Sequence, residues 1–332
     1  MSLKFIIKIV CSLGVLTALF FFVDLEEFSR AITAFSGLVI TGSFLINLAG
    51  AVGANSAQIY IHVRNAVKGV SRWKLFVAIL ETDFIVRFYS LMLPLGATAG
   101  IRWHRFNTIG IGVLNSGAAI VVNKLQQIFL ALLFASIAFG LGAMSAVPSN
   151  ASRLLALGAG LGAALIFAVL SGFFVRGGYS GLLSYLTSKL TSSTRVRKRW
   201  DLSTKLASYM QSYRLATEEV RKVDLALVLI WGVASFILVA WSQALIIWAL
   251  GIDLDFLDIL FVRGVVMLAM MVPFSIAGIG FRELGTVGSL ALYGVSKDIG
   301  LVVGVVLFGF QLLISIMGGV FELGHIFRGR RI

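Results

Sequence analysis

The chain has 332 residues, of which 59% are hydrophobic and 13% charged, with a formal net charge of +13. That balance excludes a soluble globular domain, where about 25% of residues carry charge. The basic surplus does not describe a nucleic-acid surface either, because Lys and Arg collect in a few connections between apolar stretches.

A helix needs ~20 apolar residues to cross a hydrocarbon core of ~30 Å, with its backbone polar groups satisfied internally. In chain order, stretches near 4–23, 37–61, 118–142, 153–175, 225–250 and 299–326 meet that requirement. Two more, near 76–93 and 259–275, are long enough but carry charges and stop at prolines. The expected fold is all-α: a polytopic transmembrane bundle of about eight segments, forming a single integral membrane domain over residues 1–332.

The first stretch runs into Phe20-Phe21-Phe22-Val23-Asp24 without the small residues a signal peptidase needs, so it reads as a retained span. Residues 64–74 hold Arg64, Lys68, Arg72 and Lys74 with no acid, and residues 176–224 hold ten basic against four acidic residues. Both connections are expected in the cytoplasm. The acidic segments with Asp24, Glu26 and Glu27 and with Asp253, Asp255 and Asp258 then fall outside, and both termini fall inside a multi-pass protein of the cell (inner) membrane. Within 176–224, Leu202, Leu206, Tyr209, Tyr213, Ala216 and Val220 share one helical stripe, which either rests on anionic headgroups or packs on the spans. Gly158-x-x-x-Gly162 predicts close helix packing. Small-residue-rich spans permit a homo-oligomer without requiring one.

Two of the three prolines sit in similar surroundings, one in each half. Met92-Leu93-Pro94-Leu95-Gly96-Ala97-Thr98-Ala99-Gly100-Ile101-Arg102 parallels Met271-Val272-Pro273-Phe274-Ser275-Ile276-Ala277-Gly278-Ile279-Gly280-Phe281-Arg282. Proline removes a backbone donor and glycine frees the chain from helical geometry, so both segments are expected to break at Pro94, Gly96 and Gly100 and at Pro273, Gly278 and Gly280. Whether 94–117 re-enters or crosses is open at this stage. Paired interruptions in two halves point to a transporter's substrate site.

Charges cluster near these breaks. Asp83 and Arg87 are four apart and share a helix face, Lys124 lies among Asn123, Gln126 and Gln127, and Arg263 precedes Pro273. Ionisable groups at membrane depth are costly and tend to face a cavity, although Glu81 and Lys124 are equally open to snorkelling. Arg102 and Arg282, at the ends of the broken segments, suit a phosphate or another anion, with a phospholipid headgroup the natural candidate. Glu283, Asp83 and Glu81 are available to pair with those arginines, contact a headgroup amine or relay protons. The expected headgroup site is Arg102, Arg282, Glu283, Asp83, Arg87 and Lys124.

The run Pro273-x-Ser275-Ile276-x-Gly278-x-Gly280-x-Arg282-Glu283, with Pro94 to Arg102 and the polar helix containing Lys124, resembles the flippase-like domain family, which includes the membrane region of lysylphosphatidylglycerol synthases. The resemblance covers nearly the whole chain and implies movement of polar lipids between leaflets. The first motif departs from the family's pattern, because Gly96-Ala97-Thr98-Ala99-Gly100 stands where adjacent glycines are common. A soluble aminoacyl-transferase domain is not expected, since the sequence ends six residues after Ile326. Lysyl-lipid synthesis is therefore not expected, and no residue specifically supports lysyl-lipid transport.

The rivals are a membrane-embedded lipid-modifying transferase and an accessory scaffold of a lipid or glycolipid pathway. Asp253-Leu254-Asp255 matches a metal-binding DxD pattern only as a three-residue motif, and its acidic connection is expected outside. His62, His104 and His325 show no ligand spacing, Cys11 is the sole cysteine, and the sequence has no Walker A motif. No catalytic residue, metal or cofactor is expected, and membrane lipids are the expected partners.

Overall fold

The computed structural model describes residues 35–67, 69–93, 95–141, 222–271, 278 and 280–327, with single residues 26, 33, 158, 160 and 162. The span expected near 4–23 lies outside this set. So do most of 153–175 and the connection 176–224 with its amphipathic stripe, apart from the single residues named and its last three positions.

The described chain is helical. Its helices are α1 (Gly37–Val63), α2 (Arg72–Ser90), α3 (Leu95–Thr108), α4 (Val113–Gly140), α5 (Lys222–Ala249), α6 (Phe256–Ala269), α7 (Phe281–Ala291) and α8 (Lys297–Phe327). Ser36 starts α1 by accepting the Val39 amide on its Oγ at 3.3 Å, which satisfies one of the donors that a helix start leaves free. Helices α1, α4, α5 and α8 are long and apolar enough to cross a membrane, in agreement with the stretches expected there. Helices α3, α6 and α7 have 14, 14 and 11 residues. At 1.5 Å per residue these reach about 21, 21 and 16 Å, short of a ~30 Å core.

Each of the short helices belongs to a hairpin, α3 with the longer α2 and α7 with α6. Helix α2 ends in a turn in which the Leu93 amide bonds the Tyr89 carbonyl at 2.9 Å, and α3 runs back along it. Arg102 bonds Asp83, and Phe106 packs with Ile79 and Leu75, so residues later in α3 meet residues earlier in α2. In the second hairpin Gly285 lies against Val266 and Ala269, and Leu290 packs with Val262 and Ile259, the same antiparallel return. The first hairpin's open end lies with Val63 and Ile111 at one end of the bundle. The second opens beside Leu254, Leu250 and Tyr293 at the other.

Packing is unchanged when the two halves are exchanged. Helix α1 packs on α5, α2 on α8, and α6 on α4, while each hairpin packs within itself and on the helix that follows. The contacts of the described helices thus repeat between the halves, while the prolines of the two motifs lie outside the described residues. Each of these three crossings between halves, the most extensive, is made close by a glycine. A Cβ on Gly50 would lie 2.7 Å from Leu238 Cβ, on Gly264 2.8 Å from the Ala131 carbonyl oxygen, and on Gly318 2.1 Å from the Phe84 carbonyl oxygen. Apolar helices in lipid gain little from the hydrophobic effect and associate through such close packing. Of the glycines singled out at 158 and 162, neither makes a close approach; between them Gly160 does, against Ser136 of α4.

The breaks differ from expectation in the first half. Gly96 and Gly100 lie inside α3, and the chain leaves helical geometry before them, at Leu91 to Leu93. Glycine weakens a helix without by itself ending one, so Gly96 and Gly100 can remain within α3. In the second half Gly278 and Gly280 do lie outside the helices, with φ of +76° and +83°, a region that side chains disfavour. Pro94 and Pro273 themselves are outside the described residues.

Because the α2–α8 crossing meets backbone at Gly318, a Gly318→Ala substitution forces the helices apart. It is expected to cost about 1–3 kcal/mol, the usual range for overpacking. Gly324→Ala on the same helix, where a Cβ meets nothing within 4 Å, serves as the neutral control, with thermal unfolding in detergent as the measurement.

Candidate functional site: a cationic centre at the first hairpin

Asp83 is 1% exposed and sits on the inner face of α2. Its carboxylate accepts from Arg102 Nη2 on α3 and, at 3.1 Å, from Asn55 Nδ2 on α1. Arg87, one turn on in α2, brings its Nη2 to 3.6 Å, the pairing that the four-residue spacing predicts. The same Arg87 group donates to the carbonyl of Ala51, which lies in a π-helical segment of α1 at Ala49–Ala54. Such a segment departs from the ordinary α-helical bonding ladder, and Arg87 and Ser235 take up two of its carbonyls, those of Ala51 and Gly50.

From Asp83 a chain of side-chain amides leads across α1 and α4. Asn123 Nδ2 donates to Asn55 Oδ1 at 3.0 Å and to Gln58 Oε1 at 3.1 Å; Gln58 Nε2 donates to Gln126 Oε1 at 2.6 Å; and Gln126 ends on the Val228 carbonyl of α5 at 3.0 Å. Gln127 Nε2 joins at Asn55 Oδ1, 3.4 Å away, and its Oε1 receives Lys124 Nζ at 3.0 Å. Lys124 is exposed, and its link to Asp83 runs through Gln127 and Asn55. Arg263 of α6, half-buried, has its guanidinium 5.8 Å from the ring of Phe236, the residue after the Ser235 that bonds Gly50 beside the Ala51 carbonyl held by Arg87.

The second hairpin brings the matching arginine into a different setting. Arg282 donates from Nε to Glu283 Oε1 at 3.0 Å, and its Nη2 bonds the same oxygen. Its Nη1 reaches Gln311 Oε1 at 2.6 Å, and its guanidinium carbon lies 4.8 Å from the centre of the Phe308 ring. Glu283 Oε2 accepts the Gly280 amide at 2.7 Å, which closes the start of α7. Arg282 and Glu283 are 4% and 2% exposed, so this is a buried, charge-matched pair.

The two settings occupy equivalent places. Phe308 and Gln311 are the twelfth and fifteenth residues of α8, as Lys124 and Gln127 are of α4. Residues three apart share a helix face. In the second half that pair, an aromatic ring and an amide, meets the hairpin arginine directly; in the first, a cation and an amide join the arginine's partner Asp83 through Asn55.

Of the six expected headgroup residues, Arg102, Asp83, Arg87 and Lys124 come together at the first hairpin, and Arg282 with Glu283 forms the separate pair at the second. Sequence reading missed Asn55 and Gln58, two amides one turn apart inside an apolar span, which is the signal that was available. It also missed the ties between halves at the end of the bundle near Val63. There Arg64 bonds Asp224, Arg105 Nη1 meets Glu322 Oε2 at 2.7 Å, and His325 Nε2 lies 3.3 Å from Glu81 Oε2. Tyr89 adds a hydrogen bond to Glu322 at 3.0 Å. In Asp253-Leu254-Asp255 the leucine is buried and Asp255 precedes α6, its amide bonded to Asp258 Oδ2 at 3.2 Å, a helix-start role. Among the described residues no group of His, Cys, Asp and Glu is arranged to hold a metal.

Long apolar helices around paired, broken hairpins define a multi-pass α-helical membrane protein. A family model described as the lysylphosphatidylglycerol synthase TM region matches residues 5–319, and the chain belongs to that family. No curated protein and no solved structure matches it.

Removing the carboxylate charge in Glu283→Gln leaves Arg282 buried without a counter-charge. The expected loss is about 3–5 kcal/mol, as for other broken buried pairs, read as a lowered melting temperature in detergent.

Proposed function

We propose that this protein moves a polar, phosphate-bearing lipid between the leaflets of the bilayer, as a transporter rather than an enzyme. The observation that carries the reading is the cationic centre at the first hairpin, where Arg102 and Arg87 share the single carboxylate of Asp83 and Lys124 joins it through Gln127 and Asn55. Charges at that depth are costly unless they serve a polar passenger, and a phosphate offers the opposite charge with several acceptor oxygens.

The frame supports the same reading. In the proposed topology the end carrying Arg64, Arg72 and Lys74 is cytoplasmic, the first hairpin re-enters from that side, and the second re-enters from outside. Inverted repeats of this kind let one half rock against the other around a site near the midplane. The ion pairs joining the halves near Val63 would then hold the cytoplasmic end together in this conformation. The opposite end is joined chiefly by apolar packing around Leu254, Val303 and Phe35. Family membership supports a role connected with membrane lipids.

Purified protein in liposomes carrying labelled anionic and zwitterionic phospholipids is expected to accelerate leaflet exchange. Arg102→Ala is expected to slow it by about 10- to 150-fold, the equivalent of a lost charge-assisted hydrogen bond. No acceleration with any lipid, by protein shown to be folded, would remove the transport reading and favour a lipid-modifying enzyme or a scaffold.

A further inference from the structure

The described buried and half-buried arginines divide into three groups. Arg64, Arg105 and Arg282 each have a carboxylate of their own, in Asp224, Glu322 and Glu283. Arg87 and Arg102 share one, in Asp83. Among the described residues, neither Arg263 nor Lys124 forms an ion pair with a carboxylate. The Nε atoms of Arg87, Arg102 and Arg263 are buried and find no hydrogen-bond partner there either. The first hairpin thus faces four cations with one carboxylate, while the equivalent place in the second half is neutral.

Snorkelling does not account for the surplus. A lysine that merely escaped the bilayer would extend away from its neighbours, whereas Lys124 bends to Gln127 at 3.0 Å, and Gln127 is itself bonded to the Asn55 that holds Asp83. The repeat sharpens the contrast, because the position equivalent to Lys124 is Phe308, which covers its arginine instead of opposing it. A phosphodiester headgroup, with one negative charge, leaves most of the surplus uncompensated. A terminal phosphate monoester carries about −1.5 to −2 near neutral pH and three acceptor oxygens, and a diphosphate carries more.

We propose that the centre at the first hairpin recognises a terminal phosphate, as monoester or diphosphate, in preference to a phosphodiester, and that Lys124 and Arg263 impose the choice. Arg102 and Arg87 hold the phosphate beside Asp83, and Lys124 from α4 and Arg263 from α6 meet its additional charge. The inference concerns the same site as the transport reading and rests on it only in taking the phosphate to be carried by a lipid.

The test compares affinities of the full-length protein in detergent for phosphatidic acid and phosphatidylglycerol with identical acyl chains, and separately for inorganic phosphate and pyrophosphate. Phosphatidic acid is expected to bind about tenfold or more tightly than phosphatidylglycerol, the difference one further charge-assisted contact makes. Lys124→Gln and Arg263→Gln are each expected to bring the ratio to within about twofold, and Lys124→Arg, which keeps the charge, is expected to preserve it. Displacement of phosphatidic acid by pyrophosphate identifies the phosphate itself as the recognised group, and retention of the lipid against pyrophosphate identifies a lipid-borne phosphate; both uphold the inference. Equal affinity for the two lipids, affinity for neither, or a ratio unchanged in both glutamine variants overturns it. Equal affinity with arginine-dependent leaflet exchange would end this inference and leave transport standing, while a clear preference without exchange would do the reverse.

Discussion

A carboxylate taken out of water loses several kcal/mol of hydration, and Asp83 recovers it only where Arg102, Arg87 and Asn55 converge. These partners come from three helices, so satisfying one buried charge sets the spacing of α1, α2 and α3 together. The carbonyl that holds Arg87 in place belongs to the π-helical segment of α1, which ties an irregularity in a long span to the ionic centre beside it. The first hairpin is therefore held by electrostatics across its limbs as much as by the packing of Phe106 on Ile79.

The second hairpin rests on the same backbone plan with another balance of forces. Its arginine is neutralised by the next residue and covered by Phe308, and its limbs meet through small and apolar contacts such as Gly285 on Val266. An approximate two-fold frame thus carries two unequal chemical environments. The ends of the bundle are unequal as well. Ion pairs and amide contacts to Asp224, Glu322 and Glu81 join the halves at one end, and a mainly apolar cluster joins them at the other. Separating the first end exposes charges that water readily solvates, whereas separating the second exposes hydrocarbon.

Glycine positions decide how closely the halves meet. Gly50, Gly264 and Gly318 each sit where another helix's backbone or Cβ fills the space that a side chain would need. One further crossing repeats the device at the amide chain: a Cβ on Gly232 would lie 2.1 Å from Gln126 Nε2. The same small residues that give up side-chain packing permit the polar groups of neighbouring helices to reach one another.

Sequence alone determined the class and the frame, because hydropathy is a property of each segment by itself. Stretches such as 37–61, 225–250 and 299–326 are apolar over a membrane's thickness whatever they pack against, and the paired proline motifs announced the repeat before any contact was known. The Asp83–Arg87 pair was legible for the same local reason, four residues on one helix. Only the tertiary structure decided that Arg102 shares Asp83 while Arg282 belongs to Glu283, that Lys124 and Phe308 hold equivalent places, and that Asn55 and Gln58 lead from Asp83 to α5. Those facts depend on contacts between residues far apart in the chain, and a charge's environment is set by what surrounds it in space. The break at Leu91 to Leu93 belongs with them: glycines permit a chain to leave helical geometry, but whether it does so depends on the neighbours it meets.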